Sequence, residues 1–77
     1  MYLIVNYDSS VPFESNTYSV KDAIINYAKY TGDSWDLFLK CIKNFDENDI
    51  KGLVELFNHF SSCDAIRNIY EVKKKVI

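Results

Sequence analysis

The sequence predicts an α+β fold: a single small domain spanning residues 1–77, in β-α-α-α-β order, with a small sheet formed by the terminal strands packed against three helices. Three observations predict it. A β-rich run, Tyr2 to Tyr7, opens the chain; three apolar stripes at helical spacing follow; and Asn68, Tyr70 and Val72 alternate with Arg67, Glu71 and Lys73 near the end. Ile66, Ile69 and Tyr70 also fit a helix, but a lone first strand would leave its backbone groups unpaired, so the last segment is read as its partner.

The first strand, YLIVNY, is ended by the turn chemistry of Asp8-Ser9-Ser10-Val11-Pro12. Phe13 to Tyr18 can add a second short strand, which Pro12 confines to an edge. Ser19 then opens the best-marked helix, as the cap of Ser-Val-Lys-Asp, a capping box with Asp22 in place of Glu. Val20, Ala23, Ile24, Tyr27, Ala28 and Thr31 form its stripe, and Gly32 is its stop. Ile25 and Tyr30 flank that stripe on opposite borders, where a partner could reach them.

Asp33 is placed to cap a second helix on which Trp35, Leu37, Phe38, Leu39, Cys41, Ile42 and Phe45 cover more than half the circumference. So wide an arc implies cover on more than one side, from the domain's own elements or from another chain. Asp46-Glu47-Asn48-Asp49 brings caps and negative charge to the start of a third helix, with Ile50, Leu53, Val54, Leu56, Phe57 and Phe60 as its stripe. Gly52 lies in its first turn at a cost of about 1 kcal/mol relative to Ala. It reads as tolerated there or as marking the close approach of another backbone.

Composition narrows function mainly by exclusion. At 48% hydrophobic residues the chain can form a core without cross-links or metal, although a chain this short leaves room for stabilisation by a partner or by homodimerisation. Cys41 and Cys63 form no CxxC and have no nearby His pair, so they are read as reduced, mostly buried thiols and no metal is expected. The N-terminal residues lack signal-peptide character, and no apolar run nears the roughly 20 residues of a membrane span. The expected location is the cytoplasm, that of the host cell if the chain is phage-encoded, with no membrane partner.

Catalytic chemistry finds little support. His59 shares a polar helix face with Lys51, Glu55 and Ser62, Ser9 and Ser10 have no GxSxG-like context, and two isolated glycines make no phosphate-cradling loop. The expectation is a protein without enzymatic activity and without cofactor. Residues 1–66 hold ten acids against five lysines, while 67–77 hold four bases and one acid. An acidic body argues against docking on phosphates, and Lys73-Lys74-Lys75 reads as a solubilising strand end.

Aromatic placement carries the remaining signal. Of twelve aromatics, Tyr27, Trp35, Phe38, Phe45, Phe57 and Phe60 lie on stripes that need a core. Tyr2, Tyr7, Phe13, Tyr18, Tyr30 and Tyr70 lie in strands, borders or a loop, and tyrosine beside acids is the composition of a protein-binding patch. The candidate partner-binding residues are therefore Tyr18, Ile25, Tyr30, Asp33, Asp36, Asp46, Glu47 and Asp49.

In size, acid-leaning body, aromatic richness and lack of catalytic groups the chain resembles the small inhibitors made by phages and mobile elements, anti-CRISPR proteins among them. The resemblance is one of style and carries over no residues. It implies a stoichiometric inhibitor that binds a larger host protein, such as a nucleic-acid-handling complex, and blocks a site by occupancy. The alternative is a small dimeric DNA-binding regulator using the second and third helices, joined over Phe45 to Asp49, with Lys51 and Asn58 toward a groove. Acids at the start of that recognition helix oppose it.

Overall fold

The computed structural model describes residues 1–8, 11–31, 35–61 and 63–72. The elements are β1 (Tyr2–Asn6), β2 (Phe13–Ser15), α1 (Val20–Thr31), α2 (Asp36–Lys43), α3 (Ile50–Phe60) and β3 (Ile66–Glu71). The terminal strands pair as expected, and β1 is the centre of an antiparallel sheet ordered β2-β1-β3. Residues 66–71 are strand, and the second strand is the short edge piece anticipated after Pro12, three residues long.

Register decides which side chains meet the helices. Tyr2 lies opposite Ser15 and Glu71, and Ile4 opposite Phe13 and Ile69, on the face that carries the core. Leu3 lies opposite Glu14 and Tyr70, so with a side-chain period of two this trio shares the other face. An irregularity between Val5 and Asn6 shifts the pairing, so Val5 meets Asn68 and Asn6 meets Ile66, leaving Arg67 as the extra residue of a bulge.

The core joins Ile4 and Ile66 of the sheet to Val20, Ala23, Ile24, Tyr27 and Ala28 of α1, Phe38 and Ile42 of α2, Leu53 and Phe57 of α3, and Trp35. Phe57 is its hub: its ring stacks on Trp35 at 4.8 Å and meets Phe38 edge-on at 5.5 Å. Such pairs each add about 0.5–1.5 kcal/mol beyond the area they bury.

Capping follows the sequence at two helices. The Asp22 N–H donates to Ser19 Oγ at 3.1 Å at the start of α1, and the Gly52 N–H donates to Asp49 Oδ1 at 3.0 Å in α3. The space a Cβ would need at Gly52 is taken by the Asp49 carboxylate that caps the helix. At α2 the expected cap, Asp33, lies outside the described residues. Trp35 holds the N-cap position with no side-chain bond to the helix, and its Nε1–H donates to Thr31 Oγ1 instead.

Three expectations about burial are corrected. The chain's own elements cover helix α2 on one side, not on more than one: Phe38 and Ile42 are buried, whereas Leu37 and Cys41 are exposed, which leaves cover by another chain as the remaining alternative. The helix has only eight residues, and its packing onto α3 accounts for a single face. Both cysteines are exposed and not disulfide-bonded, where buried thiols were expected. Ile50, at the head of the α3 stripe, is half exposed because the stripe enters the core only at Leu53.

Candidate functional site

Helix α1 separates the candidate residues into two groups. At 1.5 Å per residue its first residue, Val20, and Tyr30 near its end stand about 15 Å apart. Tyr18 falls at one end and Tyr30 at the other.

At the N-terminal end, Tyr18 is fully exposed on the loop that delivers the chain from β2 to α1. It lines a hollow of about 490 Å³ with Tyr2, Asp22, Glu47, Asn48 and Ile50. The loop before α3 supplies Glu47 and Asn48, and its shape is set locally: Asn48 N–H donates to Asp46 Oδ1 at 2.9 Å, and the Asp49 N–H to the Asp46 carbonyl at 3.2 Å. Asp46 and Asp49 thus spend an oxygen on backbone amides, while Glu47 is exposed toward the hollow. Lys21, the nearest base in sequence, is turned away. Its Nζ donates to the carbonyls of Lys43 and Phe45 at 2.9 and 3.0 Å, at the C-terminal end of α2 where the helix dipole favours a cation.

At the other end, Tyr30 packs its ring 4.8 Å from Phe13 and is 70% exposed. Tyr27, one turn back, is buried, with its hydroxyl donating to the Asp64 carbonyl at 3.2 Å and accepting from Asn6 Nδ2 at 3.0 Å. Burial raises the Tyr27 hydroxyl pKa; the bond from Asn6 opposes this, and Asp64, Tyr30 and Asp8 add to it.

The remaining candidates divide. Ile25 is half-buried against the core, leaving less of it for a partner than its border position implied. Asp36 is exposed in the first turn of α2, where the dipole accounts for it. Asp33 lies outside the described residues, as does Lys73-Lys74-Lys75. Asn58, one of two residues available to read a DNA groove, is bound to the Ile66 backbone instead. His59 is exposed on α3, beside Phe60. Among the described residues no three His, Cys, Asp or Glu gather as a metal site would require, and no helix is long and apolar enough to cross a membrane.

Sequence reasoning missed Asp22, Ile50 and Asn48 at the first hollow, and Phe13, Glu14 and Asp64 at the second. Tyr30 was the one candidate read at the second group, while Tyr27, three residues earlier on the same helix face, was read as core. Asp64 reaches it only through the turn between α3 and β3. Compared with protein-family models, curated proteins and solved structures, the chain matches none.

Proposed function

We propose that the protein is a non-enzymatic protein-binding module, an inhibitor of the phage or mobile-element kind that occupies a site on a larger nucleic-acid-handling protein of its host. One observation carries the reading: Tyr18 stands fully exposed beside Asp22 and Glu47, and among the described residues no Lys or Arg lines that hollow. An exposed aromatic beside acids supplies contact area with little side-chain entropy to lose and is complementary to a basic surface. Proteins that handle nucleic acid present such a surface.

Affinity capture from the native host, with the captured protein identified by mass spectrometry, tests the proposal. The expected result is one partner in stoichiometric amount, with no DNA binding by the purified chain. Salt-dependent DNA binding without a protein partner supports the dimeric regulator instead, and recovery of the chain alone removes the inhibitor reading.

A further inference from the structure

The second hollow, at the C-terminal end of α1, has a volume of about 540 Å³ and is lined by Asn6, Val11, Pro12, Phe13, Glu14, Tyr27, Tyr30 and Asp64. Its aromatic wall combines two elements. Tyr27 and Tyr30 come from successive positions on one face of α1, with centroids 6.4 Å apart and planes 23° apart; Phe13, the first residue of β2, lies 5.4 Å from Tyr27 and 4.8 Å from Tyr30.

The Asp64 backbone is held in place from several directions, and the Asp64 carboxylate accepts from Cys63 Sγ at 3.6 Å. The Asp64 carbonyl accepts from the Tyr27 hydroxyl, its N–H donates to Ser61 Oγ at 3.0 Å, and Asn6 holds the Tyr27 oxygen from the sheet. Glu14, on β2, borders the hollow at its rim with its side chain on the opposite face of the sheet, and among the described residues no Lys or Arg lines the hollow. Burial chiefly raises the Tyr27 hydroxyl pKa, and the charges of Asp64 and Asp8 add to it.

We propose that this hollow receives an arginine side chain of a partner protein. Aromatic faces attract a cation through their quadrupole, and a flat guanidinium can stack on a ring while its fork of N–H groups meets a carboxylate. An anion would be repelled by Asp64, and a neutral ring would gain nothing from it. The volume far exceeds a guanidinium and suits an arginine with its stem and flanking backbone. Because these groups are held by the fold before binding, little ordering cost opposes the contact. The inference rests on the protein-binding reading only for the source of the arginine.

The test is an NMR titration of the isotope-labelled full chain with N-acetyl-arginine amide, its neutral isostere N-acetyl-citrulline amide, and free L-arginine. The expected result is saturable shifts centred on Phe13, Tyr27, Tyr30 and Asp64, with citrulline weaker by about tenfold. Asp64→Asn and Tyr30→Leu, each checked for an unchanged fold by its spectrum, should weaken arginine binding by about threefold or more, while Cys41→Ser, on the exposed face of α2, leaves it unchanged. Equal affinity for citrulline, shifts centred elsewhere, or full binding by both variants overturns the site. Free L-arginine binding more tightly than the capped residue overturns a protein source. A failed titration leaves the host capture result unaffected, so the two readings fail separately.

Discussion

The side-chain amide of Asn58, on α3, pairs with both backbone groups of Ile66, on β3: Ile66 N–H donates to Asn58 Oδ1 at 2.7 Å, and Asn58 Nδ2 donates to the Ile66 carbonyl at 2.9 Å. A helix side chain thereby supplies the contacts a fourth strand would make. It covers the start of an edge strand that would otherwise be open to another chain.

Removing that amide should be costly. Asn58→Ala leaves two backbone groups of a buried residue without partners, so a loss of about 2 kcal/mol is expected, or a melting point lower by roughly 8–15 °C for a domain of this size. Asn58→Asp retains the acceptor for Ile66 N–H but not the donor. It should fall between wild type and Ala in urea unfolding.

Gly52 and Asp49 should behave as one unit. Asp49→Ala is expected to cost about 1 kcal/mol by removing the cap. In an exposed first turn Gly→Ala would ordinarily gain from helix propensity, but here the added methyl displaces the Asp49 carboxylate. Gly52→Ala should therefore bring no stability in the wild-type background and a gain in the Asp49→Ala background. Denaturation of the four proteins measures the coupling.

Much of this fold was legible because its signals are local. Ser19 and Asp49 cap the helices they were expected to cap, and the stripe of α1 is buried at Val20, Ala23, Ile24, Tyr27 and Ala28 as read. The exposure of Leu37 and Cys41 was not legible, because periodicity tells which residues share a face and not whether a neighbour covers it. The candidate site was legible in part: Tyr18 and Glu47 do line one hollow, while Tyr30 belongs to another built with Phe13 and Asp64, residues that only the tertiary fold brings together.

The Tyr27 hydroxyl predicts a pH dependence. Its folded pKa lies above the ordinary value of 10.0, chiefly through burial. A raised folded pKa means that its contribution is fully present below the unfolded pKa and is lost as pH rises through the folded one. Unfolding free energy should fall above pH 10 more steeply in wild type than in Tyr27→Phe, as urea titrations across that range would measure.

Exposure of both thiols predicts their chemistry. Under native conditions a thiol reagent should modify two equivalents per chain, at Cys41 and Cys63, without prior unfolding. Reaction only after denaturant is added would contradict the placement of both residues.

Exposed tyrosines as the source of binding energy are the centre of this account. The most direct test is calorimetric titration of the captured host protein with wild type and with Tyr18→Ser/Tyr30→Ser, whose side chains lie largely outside the core. The predicted result is an affinity lower by about a hundredfold or more, with the fold unchanged by its spectrum and a melting point lowered only by about the 4–8 °C that losing the Tyr30–Phe13 contact costs. An affinity equal to that of wild type would contradict the account.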